Sequence, residues 1–307
     1  MRVAVTGGTG LVGKALCRFL TDNGHEAIVL TRKSTAKAEA AAGPKSKGGG
    51  VRFVRWLNDG DRPEKELKGI HAIVNLAGAT INTRWTEEGK KRIIESRLQA
   101  GEEVNRIISA MENKPAILVN ASAIGIYGTS LDHTFTERLD ADGEDFLAYT
   151  ARKWEAVAGK ASDLGLRTVL CRFGVILDSD EGALPRMALP YRLFAGGTVG
   201  SGRQWISWIH IEDVVRGILF AIDNPNLAGP VNFTSPDPVR MKDFGRSLSV
   251  AIGKPHWLPV PTFALKLMLG EMSVLVLEGQ KVLPKKLLEN GFSFNYPVLD
   301  QALADIF

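Results

Sequence analysis

The sequence predicts an α/β fold, a doubly wound parallel sheet with helices on both faces, and two observations carry that prediction. Short apolar runs alternate with helical patterns through the first half of the chain, the order expected when crossover helices connect parallel strands. The first run, Val3-Ala4-Val5, leads into Thr6-Gly7-Gly8-Thr9-Gly10-Leu11-Val12-Gly13, a glycine triplet set between a strand and a helix. With 307 residues, 45% of them apolar and 23% charged, the chain has enough apolar material to bury the core such a sheet needs.

The elements follow in order. The first strand begins at Arg2, and the amphipathic run 11–20 is the first helix. Gly7 lets the chain turn sharply off the strand, Gly10 lets backbone N–H groups approach a phosphate with no Cβ in the way, and Gly13 lets the helix pack against the sheet. With Thr9, Leu11 and Val12 they outline a dinucleotide site at a helix N-terminus, where unpaired donors and partial positive charge meet an anion. After the turn Asn23-Gly24-His25, residues 26–30 form the second strand, whose end selects the cofactor. An NAD site places Asp or Glu there to accept from the ribose 2′-OH, whereas this chain reads Thr31-Arg32-Lys33. Arg32 offers a planar fork to a 2′-phosphate and Lys33 a second charge, which favours NADP(H). The alternative is that both are solvated loop charges.

Residues 34–50 are small, polar and glycine-rich and read as a mobile loop. Strands are expected at 51–55, 72–75, 116–121 and 167–171, with long helices at 87–111 and 146–164. Where the 72–75 strand meets a loop, Leu76, Ala77 and Gly78 leave room for the dinucleotide over the sheet edge; a simple turn is the other reading. On the 146–164 helix Tyr149 and Lys153 stand four residues apart, hence on one face. An ammonium beside a phenol favours the phenolate, so the pair is a candidate acid/base, with Lys153 also placed to hold a cofactor ribose.

These segments, together with Ala121-Ser122-Ala123-Ile124-Gly125-Ile126-Tyr127-Gly128, resemble the extended short-chain dehydrogenase/reductase superfamily. More narrowly, the chain resembles its epimerase family protein branch, which is NAD-dependent epimerase/dehydratase-like. Phe146-Leu147 with Lys153-Trp154-Glu155, the run 200–205, the run 208–213 and the run 277–284 carry that narrower match, the last belonging to a C-terminal segment of unknown function. The resemblance implies a Rossmann domain over 1–175, joined by a strand near 230–235, and a smaller substrate-side region over 176–229 and 236–307. It also implies a nicotinamide cofactor and a Ser/Thr, Tyr, Lys set. In such relatives the hydroxyl residue stands four positions before the Tyr of the Tyr-Gly pair, where this chain has Ala123. Ser122, one position earlier, takes that role only if the strand bulges or ends there.

Arg203, Gln204 and Trp205 are candidate substrate contacts, with a structural loop as the equal alternative, and Ile206 stands where nucleotide-sugar enzymes carry an Arg. Two functions follow: an NADP(H)-dependent oxidoreductase or nucleotide-sugar epimerase acting on a small hydroxyl- or carbonyl-bearing substrate such as a sugar or sugar nucleotide, or a sensor or scaffold that holds NADP(H) without turnover. The resemblance also implies a homodimer built on the two long helices.

Other classes are disfavoured. The net charge of +4 is not gathered into a basic face, so no nucleic-acid partner is expected. Cys17 and Cys171 lack metal-ligand spacing and read as buried thiols, and no metal site is expected. The apolar stretch 263–277 is interrupted by Lys266, Gly270 and Glu271, which argues against a membrane span, and no membrane partner is expected. Met1 and Arg2 abut the first strand, so the reading is soluble and cytoplasmic. His210 reads as a core histidine and Asp213 as the N-cap of a helix over 214–222. The acidic stretch 132–145 reads as a solvated loop, and 182–202 as loops and a short helix over the pocket mouth.

Overall fold

The computed structural model describes residues 1–35, 50–139 and 141–307; most of the 34–50 loop, and Asp140 of the acidic stretch, lie outside them. The strands are β1 (Arg2–Thr6), β2 (Glu26–Thr31), β3 (Val51–Arg55), β4 (Ala72–Asn75), β5 (Ile117–Ala123), β6 (Thr134–Phe135), β7 (Arg167–Phe173), β8 (Val175–Leu177), β9 (Trp205–Ile206), β10 (Trp208–His210), β11 (Gly229–Phe233), β12 (Val239–Arg240) and β13 (Lys281–Val282). Seven of them form one parallel sheet in the order β11-β7-β5-β4-β1-β2-β3. The order reverses between β1 and β4, and the crevice outside the carboxyl ends of those two strands is where open α/β sheets bind ligands.

Strand parity sorts the side chains into two cores. Val3, Val5, Val74, Val119 and Val169 point to one face, packing with Leu16 and Leu20 of α1 (Leu11–Asp22) and with Val214 and Ile218 further along the chain. Ala4, Ile28, Ile73 and Leu118 point to the other, against α2 (Glu87–Ala110) and α3 (Phe146–Asp163). Thr86 caps α2 by accepting from Gly89 N–H at 3.1 Å, and Asp145 caps α3 by accepting from Ala148 N–H at 2.8 Å.

Beyond β7 the chain builds a smaller lobe. The pairs β8–β10 and β9–β12 enclose Leu177, Leu184, Trp208, Phe244 and Leu303. The C-terminal part returns to the first half through β13, which pairs in parallel with β6. Helices α4 (Leu184–Arg192), α5 (Ile211–Asp223), α6 (Met241–Ile252) and α7 (Thr262–Leu269) belong to this part of the chain.

Two local expectations are corrected. Helix α5 starts at Ile211 and its N-cap is His210, whose Nδ1 accepts from Glu212 N–H at 3.2 Å. Asp213 lies inside the first turn, fully buried, and its carboxylate accepts from Asn295 N–H, Tyr296 N–H and Arg216 at 2.8–2.9 Å. A buried carboxylate needs that many donors, and here they fasten the C-terminal segment to α5. The acidic stretch is not wholly solvated either, because Glu137 turns inward and accepts from Asn232 N–H at 2.9 Å and Lys286 N–H at 3.2 Å.

Cys17 and Cys171 are buried and free, and burial pushes the Cys17 thiol up to about 12. Among the described residues no helix is long and apolar enough to cross a membrane, and no cluster of His, Cys, Asp or Glu is built to hold a metal.

Candidate functional site

The crevice begins where β1 ends. Gly7 has φ +66°, a left-handed conformation open to glycine, and a Cβ on it would come within 2.7 Å of Leu76 O. Gly10 N–H donates to Gly7 O at 3.0 Å, closing the turn. A Cβ on Gly13 would stand 2.2 Å from that same Gly7 oxygen, so glycine there sets how closely α1 approaches the strand. Gly10 differs: a Cβ on it would meet nothing nearer than Gly7 O at 3.4 Å. The protein itself therefore leaves open the space above Gly10.

Helix α1 has no capping side chain and no acidic residue in its first turn. Among the described residues the amides of Leu11, Val12 and Gly13 have no partner. Open donors on a positive helix end beside a space clear of side chains fit a diphosphate. Thr9 is exposed at the rim, and Gly182 leans over Leu11, where a Cβ on it would come within 3.1 Å of Leu11 Cδ2. Glu181 pairs with Lys14, which fastens the start of the 182–202 segment to α1.

At the end of β2 Thr31 is buried and its hydroxyl accepts from Lys33 N–H at 3.2 Å. Arg32 and Lys33 are exposed, and neither makes an ion pair among the described residues. No carboxylate occupies the ribose-selecting position, so the donor set suits a 2′-phosphate.

The end of β4 is organised by residues the sequence reading passed over. Thr6 Oγ1 donates to Asn75 Oδ1 at 2.6 Å and accepts from the amides of Leu76 and Ala77 at 3.0 and 3.1 Å. Asn75 Nδ2 donates to Asn120 Oδ1 at 2.6 Å, and Asn120 Nδ2 donates to Ala121 O at 2.7 Å. This buried relay ties three adjacent strand ends and uses both loop amides, so Leu76 and Ala77 shape the crevice wall and have no N–H left for a ligand. Gly78 is exposed and is backed by Arg97, which would stand 3.2 Å from a Cβ there. Arg97 donates to Ala79 O at 3.0 Å and Ile93 O at 2.8 Å and lies 4.8 Å over the Trp154 ring. Burial pulls it down to about 10.

The predicted catalytic set is not assembled. Strand β5 runs without a bulge through Ala123, Ser122 sits opposite Arg172, and its hydroxyl donates to Glu155 Oε1 at 2.6 Å. Glu155 also accepts two N–H groups of Arg172 at 2.8 Å. Burial alone would lower the Arg172 pKa, but its bonds to Glu155 outweigh that and hold it above the usual arginine value. Arg172 donates on to Tyr127 OH at 2.8 Å, and Tyr127 donates to Asn232 Oδ1 at 2.9 Å. Ser122 and the Tyr of the Tyr-Gly pair are thus parts of one buried network.

Tyr149 and Lys153 do share a face, with Lys153 Nζ 5.5 Å from the Tyr149 ring centre, but that face points outward. Tyr149 is 46% exposed and lines a groove with Lys90, Ile94 and Phe146 on the outer side of α2 and α3. The inward face of α3 carries Leu147, which touches Gly125, then Ala151, which packs on Ile124 and Tyr127, and then Glu155.

The proposed substrate residues divide. Arg203 is exposed. Gln204 is buried and its Nε2 donates to Val199 O at 3.0 Å and Val276 O at 2.8 Å. Trp205 stacks 3.7 Å from Arg240 and donates to Leu131 O at 2.9 Å. Gln204 and Trp205 therefore hold loops together. His210 is buried and capping, in keeping with a structural histidine.

The signal for the missed residues lies in strand parity. Asn75 ends the run Ala72-Ile73-Val74, Asn120 follows Ile117-Leu118-Val119, and Arg172 follows Val169-Leu170-Cys171. A polar residue closing an apolar strand at a buried position needs a partner across the sheet end.

Comparison with known proteins agrees with this architecture. Residues 3–233 match the model of the NAD dependent epimerase/dehydratase family, and residues 260–306 match a domain of unknown function, DUF1731. The chain is 46% identical over 306 residues to epimerase family protein YfhF of Bacillus subtilis, covering 100% of this chain and 98% of that one. It superposes on the crystal structure of human epimerase family protein SDR39U1 with NADPH at TM-score 0.86 and 32% identity, covering 100% and 99% of the two chains. A UDP-glucuronic acid 4-epimerase from Bacillus cereus, at TM-score 0.76 and 16% identity over 100% of this chain and 98% of that one, shares the fold. The chain belongs to the NAD dependent epimerase/dehydratase family.

Proposed function

We propose that this protein binds NADP(H) along the carboxyl edge of its sheet and acts as an oxidoreductase or epimerase on a small hydroxyl- or carbonyl-bearing substrate. The observation that carries the coenzyme is the open first turn of α1 together with Arg32 and Lys33 at the end of β2. The amides of Leu11, Val12 and Gly13 hold the diphosphate, Arg32 grips the 2′-phosphate, and Gly78 lets the dinucleotide lie close to the wall that Arg97 supports. The relative crystallised with NADPH supports the same choice. A nicotinamide coenzyme supplies hydride exchange with the substrate carbon.

Calorimetry tests the coenzyme assignment. NADPH is expected to bind more tightly than NADH, and Arg32→Ala to weaken NADPH about tenfold or more while leaving NADH unchanged, the worth of a charge-assisted contact. Equal affinity for the two coenzymes in the unaltered protein overturns it.

A second reading, an NADP(H)-holding sensor or scaffold without turnover, is favoured by the engagement of Ser122 with Glu155 and the outward aim of Tyr149. Incubating the NADPH-loaded protein with a panel of carbonyls, sugars and nucleotide sugars separates the two. Coenzyme consumption above background supports the oxidoreductase, an inverted substrate centre with the coenzyme regenerated supports the epimerase, and the absence of both across the panel supports the holder. For assembly, we propose a homodimer across α2 and α3, where the groove beside Tyr149 lies; sedimentation equilibrium showing only monomer at micromolar concentration counts against it.

A further inference from the structure

Among the described residues, many of the exposed large apolar side chains lie on two segments away from the glycine turn. Leu189, Leu193 and Phe194 come from the end of α4, Trp257 and Leu258 from the strand-like stretch after α6, and Phe263, Leu267 and Met268 from α7. Hydrogen bonds hold the two segments side by side: Trp257 Nε1 donates to Phe194 O at 2.9 Å, Trp257 N–H to Gly196 O at 2.9 Å and Val260 N–H to Thr198 O at 2.9 Å. Phe263, Leu267 and Met268 are 74%, 86% and 77% exposed.

Two features set this face apart among the described residues. Helix α7 has eight residues and none of them is buried. A helix that short does not stand by itself in water, and this one has little core contact to support it. Phe194, at φ +60°, is held in the left-handed region that side-chain-bearing residues seldom occupy, yet its ring remains exposed.

Charge identifies the partner. Residues 184–200 and 253–270 contain Arg186, Arg192, Lys254 and Lys266 and not one Asp or Glu, in a chain that has 34 acidic residues. Lys254 Nζ lies 4.2 Å over the Phe194 ring, so cation and apolar side chain share one spot. A second copy of the chain docked on this face about a two-fold axis would set these cations against their own duplicates. Glu271, which follows α7, is paired with Lys90, so aromatic and aliphatic side chains beside these lysines and arginines match an anionic lipid surface: rings and chains enter the boundary between headgroups and acyl tails, and the cations meet lipid phosphates. We propose that this protein attaches peripherally to anionic membranes through α7 and the Phe194–Trp257 contact. No spanning helix is required for such attachment.

Co-sedimentation of the full chain with vesicles tests this without coenzyme or turnover. The protein is expected to pellet with vesicles of phosphatidylcholine mixed with phosphatidylserine, to remain in solution with phosphatidylcholine alone, and to be released by salt. Phe263→Ser with Leu267→Ser, and separately Lys254→Glu with Lys266→Glu, are each expected to weaken binding about tenfold or more. Circular dichroism and NADPH calorimetry check that both variants remain folded. Failure to pellet with the mixed vesicles, or pelleting that neither variant weakens, overturns the proposal. So does a concentration-dependent dimer that Phe263→Ser with Leu267→Ser abolishes, since the face then belongs to a second copy.

Discussion

Tyr149 is two positions from both Leu147 and Ala151, which on an α-helix is a rotation of roughly 200°. Leu147 and Ala151 touch Gly125 and the Ile124–Tyr127 turn, so Tyr149 must face away from them. The four-residue spacing to Lys153 was legible in the sequence and holds in the structure, but spacing fixes only the angle between two residues and not which way their shared face points. Tyr149→Phe is accordingly expected to leave NADPH affinity, and any NADPH consumption, within about twofold of the unaltered protein. Steady-state kinetics on an active substrate from the panel checks this, and a large loss of kcat would restore Tyr149 to the chemistry. Ser122 shows the same limit: strand parity says that it and Ala123 face opposite sides, while the partner on its side, Glu155, comes from a helix 33 residues away in sequence.

Among the elements, those whose signal is local were read best. Strands β3 and β4 match their expected ranges, because a short apolar run with a clear end needs no distant information. The start of α5 was misplaced because histidine is not a favoured N-cap and Asp213 is; only contact with Asn295 and Tyr296 gives Asp213 a different task. A buried ion pair joining elements is Glu155–Arg172, which links α3 to β7 and continues through Tyr127 to Asn232 of β11. Removing Arg172 leaves the Glu155 charge with the Ser122 hydroxyl and no cation beside it. Arg172→Met is expected to cost about 3–5 kcal/mol of unfolding free energy, with the midpoint of urea unfolding falling and the slope unchanged. A cost under about 1 kcal/mol would mean that water reaches Glu155 once the guanidinium is gone.

Across the whole molecule, the C-terminal segment packs beside a buried histidine that titrates. Burial lowers the His210 pKa from its ordinary 6.5, against the opposing pull of Asp305, whose carboxylate lies 3.4 Å from Nε2. A histidine kept neutral by folding contributes stability that is present above pH 6.5 and is lost as pH falls through the depressed folded value. The unfolding free energy is expected to decline over that acid range by up to about 1.4 kcal/mol per pH unit from this group, and His210→Asn, which keeps a capping side chain, to lose that part of the slope. Urea titrations of both proteins at several pH values measure it, and identical slopes would assign the acid sensitivity elsewhere.

The sequence by itself determined the parallel sheet, the glycine turn and the cationic end of β2, because each is written in neighbouring residues through backbone freedom, strand parity and local charge. The tertiary structure alone decided that Tyr149 faces outward, that Ser122 answers to Glu155 and that Thr6, Asn75 and Asn120 bind three strand ends together. Those facts depend on which helix face meets the sheet and on partners up to 69 residues apart, and the pairing of distant side chains is settled only when the elements pack.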